Sequence, residues 1–256
     1  MISFFQDVLT IIEKYYPQLL SGIGNTLLIS LTGTVAGLII GLLTGILRTA
    51  PLSKNVVVRV LHKILNGIIS VYVEIFRGTP MMVQAMVIYW GYAFATSGKT
   101  LPLIPSGILI VSINTGAYMA EIVRGGIISI DRGQFEGAMS IGMTHSQTML
   151  KVIIPQVIRN ILPSVSNEFV INIKDTSVLN VIGVTELYYF AGIIKRQNFQ
   201  TFQTYLVVCV LYFIMTFTIT RLLRMVERKL DGKDNYTVFG SQSSSAAEIH
   251  VDAKGE

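Results

Sequence analysis

Four stretches of the chain carry no charged side chain: residues 19–47, 78–98, 100–120 and 197–220. Each is longer than the roughly 20 apolar residues with which a helix crosses a bilayer. A soluble domain is usually about 25% charged, whereas this chain of 256 residues is 14% charged and 51% hydrophobic, with a mean hydropathy of +0.59. The runs are continuous rather than alternating, which excludes a transmembrane β-barrel pattern. The expected fold class is therefore an all-α integral membrane protein. The net charge of +5 comes from basic residues flanking the spans, as the positive-inside rule produces, and not from a nucleic-acid-binding face.

The spans fall at about 22–47, 64–96, 105–123, 152–173 and 201–223, with a less regular stretch over 176–196. Residues 1–21 contain Asp7 and Glu13 and lack a basic start. They read as an interfacial segment leading into the first span, not as a cleavable signal. Charge decides whether 56–96 crosses once or twice. One crossing gathers Arg48, Lys54, Arg59, Lys63, the basic residues of 124–151 and the C-terminal arginines on one side. Lys14, Lys99, Lys195 and Arg196 remain on the other. That asymmetry selects five spans with the N-terminus outside and the C-terminus in the cytoplasm. Residues 227–256 are rich in Ser, Gly and Ala beyond position 230 and read as a disordered cytoplasmic tail.

Cys209 is the one cysteine, and His62, His145 and His250 are far apart. No disulfide, metal site or cofactor is expected. Residues 93–100 superficially resemble a phosphate loop, but an apolar helix precedes them where a strand is required, and Pro102 and Pro105 follow. ATP hydrolysis is not expected of this chain.

Several features bear on mechanism. Gly33, Gly37, Gly41 and Gly45 recur every fourth residue and line one helix face, where another helix can approach closely. Arg77-Gly78-Thr79-Pro80 breaks the second span, because Pro80 lacks a donor and disfavours helix at Thr79. Broken membrane helices expose backbone groups where solutes bind. Glu74 and Arg77 are spaced to form an ion pair that supports the kink, or they belong to a solute pathway. Glu121 and Arg124 repeat the spacing as a helix-end anchor or a pathway pair. Lys174 and Asp175 mark a gate or an interfacial anchor. The 131–155 loop reads as two short helices, the first capped by Asp131 and ended by Gly142, the second opened by a Thr144/Gln147 capping box. By physics alone it is a docking element or a structured loop.

At this loop the resemblance becomes specific. Glu136-Gly137-Ala138, then Gly142, then Val152-Ile153-Ile154-Pro155 resembles the EAA loop of bacterial ABC-importer permeases, with Gly137, Val152 and Ile154 as small departures. Glu74 to Gln84, Ala117 to Gly126, Gly133-Gln134 and Lys174 to Leu179 resemble the polar amino-acid (histidine/glutamine-type) branch. The likeness covers about 22–226.

The resemblance implies a five-helix permease core in a bacterial cell membrane, paired with an identical or sister permease. It implies an ATP-binding cassette subunit docked on Glu136, Gly137, Ala138 and Gly142, and an extracytoplasmic binding protein that delivers an amino acid. Within the chain, Arg77 is expected to meet the solute carboxylate near Thr79. Glu74, Glu121 or Asp175 is expected to meet the ammonium, with Gln84 and Tyr118 as neutral hydrogen-bonding groups and Lys174 beside the path. The rival, an ion-coupled secondary transporter, would want internal repeats, and none is convincing. A membrane enzyme would want a nucleophile or metal constellation in the spans, and none is visible.

Overall fold

The computed structural model describes residues 2–51 and 54–231, all helical or connecting. Its helices are α1 (Ile2–Thr49), α2 (Val56–Gly78), α3 (Met81–Ala95), α4 (Leu103–Ile128), α5 (Arg132–Ser140), α6 (His145–Thr148), α7 (Ile154–Asp175), α8 (Leu187–Asn198) and α9 (Thr201–Asp231). A π-helical turn, Met149–Ile153, leads into α7, and a 3-10 turn, Thr176–Ile182, leaves it. Four helices are individually long and apolar enough to cross a membrane. The fifth crossing is the segment through α7, which bends by 57° before α8.

The glycine stripe sets the centre of the fold. Gly33, Gly37, Gly41 and Gly45 face Val111, Thr115, Met119 and Val123. A Cβ on Gly37 would sit 2.8 Å from the Cβ of Thr115, and one on Gly45 2.8 Å from that of Val123. Only glycine permits this approach, and such close backbone packing holds helices together in lipid. The four pairs advance together along both helices, so α1 and α4 run parallel. Residues 50–102 must therefore return the chain to its starting side.

They do so in one broken crossing. His62 of α2 meets the carbonyl of Leu47 near the end of α1, at 3.0 Å. Tyr72 donates to Ile113 O at 2.6 Å, midway along α4. Tyr89 of α3 then joins Ile29, Ile110, Leu179 and Val184 in a core near the start of α4. The break after Gly78 thus lies at the depth of Asn114, as the single-crossing reading requires.

α7 runs antiparallel to α4. Val157 and Ile161 pack on Gly126, while Asn172 bonds Thr115 and Thr34 at the middle of the bundle, at 3.0 and 2.8 Å. Tyr212 of α9 bonds Glu186, which caps α8 beside Thr26, and α9 continues from there along α7 to its C-terminus. Five crossings put the ends of α1, α4 and α9 on one side, the basic side.

Two boundaries differ from the sequence reading. Residues 2–21 are continuous with the first span in one helix, because Pro17 removes a single donor and no second breaker follows. Residues 227–231 prolong α9, since its alternation of apolar and basic residues does not stop at 226. The rest of the expected tail lies outside the described residues.

Candidate functional site

The break in the second span is closed by side chains. Pro80 begins α3 with no donor to offer, and the carbonyls of Phe76 and Thr79 are left without helical partners. Gln84, buried, donates to both at 2.9 Å and to Thr79 Oγ1 at 2.9 Å. Its oxygen accepts from Asn114 of α4 at 2.8 Å. Backbone groups at membrane depth need such partners, because hydrocarbon supplies none. Gln84 and Thr79 are thereby engaged in holding the break open at a fixed angle. Asn114, absent from the sequence reading, is the third member.

Beneath the break lies a cavity of about 480 Å³, lined among others by Arg48, Glu74, Arg77, Tyr118 and Glu121. Four of the eight pathway residues expected from the sequence meet there. Their pairing differs from expectation. Glu74 and Arg77 form no ion pair. Arg77 instead lies over the ring of Tyr118, 5.6 Å from its centroid, which fixes the guanidinium in the cavity wall. Glu121 does pair with Arg124, at 2.9 and 3.0 Å, and its other oxygen is held by Arg48 of α1. A carboxylate with both oxygens engaged by guanidiniums is not available for a solute ammonium. Arg48 is close to Glu121 only through the parallel packing of α1 and α4, which no local spacing reveals.

Sequence spacing also missed Glu168. It sits on α7, 5% exposed, within the electrostatic reach of Arg77 and Asp175. The signal available was a carboxylate inside a span. Lys174 lies elsewhere, in a cleft between α7 and α9, and Asp175 lines neither opening. The cavity therefore carries both signs of charge, with Arg77 and Glu74 free of ion pairs among the described residues. A small zwitterion needs both.

On the basic side, α5 and α6 form the expected helical pair. Asp131 accepts from Gly133 N at 2.6 Å and caps α5. Thr144 and Gln147 close a capping box on α6. Gly142 joins them with φ +83°, a left-handed conformation that favours glycine. Ala138 is buried, whereas Glu136 and Gly137 are exposed. Met139, Ile141 and Leu150 are also exposed, at 60, 80 and 69%. This apolar face, beside a carboxylate, is suited to a protein partner.

Residues 37–232 match the family model described as binding-protein-dependent transport system inner membrane component. The chain is 36% identical over 214 residues to the glutamine transport system permease protein GlnP of Escherichia coli (strain K12), covering 84% of this chain and 93% of that protein. It is 35% identical over 220 residues to the L-cystine transport system permease protein TcyB of Bacillus subtilis (strain 168), covering 86% and 89%. The fold matches a chain in the crystal structure of an amino acid ABC transporter with histidines, with a TM-score of 0.72, 36% identity and coverage of 85% and 96%. It also matches the fold of a chain of the inward-facing MetNI methionine ABC transporter, with a TM-score of 0.69 at 19% identity. The chain belongs to the family of binding-protein-dependent transport system inner membrane components: it is a multi-pass permease subunit of an ABC importer, in which ATP hydrolysis resides in separate subunits.

Proposed function

We propose that this permease carries a polar amino acid through the cavity beneath the break in its second span. The observation that carries this reading is the cavity lined by Arg77, Glu74 and Tyr118. Stripping water from an ammonium and a carboxylate is costly unless partners replace it. Arg77 supplies the cationic partner. Glu74 supplies the anionic one, while Glu121 holds α1 and α4 together through Arg48. The relatives named for glutamine and L-cystine support the same solute class.

The exposed face of α5 and α6, with Glu136, Gly137 and Gly142 beside the buried Ala138, docks an ATP-binding subunit. The opposite side receives the solute from an extracytoplasmic binding protein. The clustering of basic residues on one side supports a cytoplasmic α5, α6 and C-terminus and an outside N-terminus. A second permease, identical or a sister chain, completes the path. ATP binding and hydrolysis alternate the two states of the complex, and transport follows from their different stabilities toward bound nucleotide and solute.

The test is reconstitution of the complete importer in vesicles, with uptake of labelled glutamine and cystine. ATP-dependent uptake lowered by Glu74→Gln with assembly intact supports the reading. Uptake driven by an ion gradient without the ATP-binding subunit contradicts it.

A further inference from the structure

The second span has three faces along α2. Ile69, Tyr72 and Val73 pack toward α4, around Ala120 and the carbonyl of Ile113. Ile64, Ile68, Val71 and Ile75 are large, apolar and exposed, as a lipid-facing side is. Beside them runs a third, polar face. His62, Asn66, Ser70, Glu74 and Arg77 follow one another at steps of three or four residues, which keeps them on one side of a helix. The stripe extends about 22 Å along the axis. That exceeds the roughly 15 Å from the middle of a bilayer core to its edge.

Contacts fix where the two ends of the stripe lie. Arg77 sits beside the break, over Tyr118, and His62 meets Leu47 O near the basic end of α1 at 3.0 Å. Ser70, Glu74 and Arg77 line the solute cavity. Asn66 lies one turn beyond Ser70, toward the basic side, and is not among the lining residues. Among the described residues, its Oδ1 is buried without a hydrogen-bond partner, and neither Ser70 nor Glu74 closes a hydrogen bond or an ion pair. Polar groups inside a span are costly and face a cavity or a partner, and packing within this chain supplies these three with none. The charge along the stripe is also uneven. The cavity end carries Arg77 and Glu74, and the next two steps, Ser70 and Asn66, are neutral. Neutral hydrogen-bonding groups suit release, since a path has to bind weakly enough to let its solute leave.

We propose that this stripe is the inner half of the solute path, and that Asn66 is the neutral step by which an amino acid passes from the cavity to the basic side. A side-chain amide can serve a zwitterion, because its oxygen accepts from the ammonium and its nitrogen donates to the carboxylate. The inference rests on the solute reading of the cavity.

The test uses the assembled importer in inside-out vesicles, with Cys209, the one cysteine, replaced by serine. Asn66→Cys is treated with a charged, impermeant thiol reagent, once without nucleotide and once trapped with ATP and vanadate. It is expected to react roughly tenfold or more faster in one of these states than in the other. Ile68→Cys, on the exposed apolar face, is expected to stay unreactive in both. Asn66→Cys reacting equally in the two states, or no faster than Ile68→Cys in either, overturns the proposal. Uptake gives a second measurement that needs no cysteine variant to fold. Asn66→Leu is expected to lower maximal uptake about tenfold with the half-saturation concentration unchanged, and Asn66→Ser to keep most of it. Parental maximal uptake in Asn66→Leu also overturns the proposal. The two readings fail differently. A parental half-saturation concentration in Arg77→Gln marks failure of the cavity reading itself. An Arg77→Gln defect alongside an unreactive Asn66→Cys marks failure of the inner path alone.

Discussion

Asn114 of α4 donates to the side-chain oxygen of Gln84 at 2.8 Å, and Gln84 donates across the helix break to Phe76 O and Thr79 O. One amide thus takes the place of the helical bond to Phe76 O that Pro80 cannot make, and satisfies Thr79 O as well. Gln84→Leu keeps the volume and removes every donor. An unsatisfied buried polar group costs about 1–3 kcal/mol, so the substitution is expected to destabilise the permease by about 2–5 kcal/mol. Asn114→Leu is expected to cost less, because its second bond, to Phe76 O, is long at 3.4 Å. Thermal unfolding of the purified complex checks the order. A Gln84→Leu protein that melts with the parent would remove Gln84 from this role.

The α1–α4 contact gives a sharper steric prediction. A Cβ on Gly41 would press into Met119, 2.7 Å from its backbone carbonyl carbon. Gly41→Val is expected to lower stability by about 3 kcal/mol or more, the upper range for overpacking. A Cβ on Gly67 meets no atom within 4 Å, so Gly67→Val serves as the matched control. Equal amounts of folded protein from the two variants would contradict the packing account.

Much of this was legible in the sequence because it depends on local chemistry. Pro80 marks the break, the four-residue glycine period marks the packing face, and Asp131, Thr144 and Gln147 mark the helix starts. What escaped depends on which helices become neighbours. Arg77 and Glu74 are close along α2, so spacing suggests a pair, but Tyr118 of α4 offers Arg77 its ring. Arg48 reaches Glu121 across 73 positions, and Glu168 acquires Arg77 as a neighbour only once α7 is packed.

Gly142 tests the docking element. A Cβ there meets nothing within 4 Å in this chain, so the cost of a substitution is backbone strain. At φ +83° that cost is about 1–2 kcal/mol for most residues. Gly142→Asn, which tolerates the conformation better, is expected to keep partial coupling. Gly142→Val is expected to insert normally and to lose solute-stimulated ATP hydrolysis. Parental stimulation in Gly142→Val would contradict the placement of the turn at the ATPase interface.

Orientation has a direct chemical test. Ser97 lies at the α3–α4 connection and Ser146 in α6, on opposite sides of the fold. In a background lacking Cys209, Ser97→Cys is expected to react with an impermeant thiol reagent from outside intact cells. Ser146→Cys is expected to react only after the membrane is opened. The reverse pattern would invert the proposed topology.

The central claim is that Arg77 meets the solute, and uptake at limiting amino acid tests it most directly. A charge-assisted hydrogen bond contributes about 1.5–3 kcal/mol, so Arg77→Gln is expected to raise the half-saturation concentration by roughly 10- to 100-fold, with the complex still assembled. Because Arg77 and Glu74 are not paired, exchanging them (Glu74→Arg with Arg77→Glu) is expected not to restore uptake. Parental uptake by Arg77→Gln at limiting solute, or full rescue by the exchange, would contradict the account.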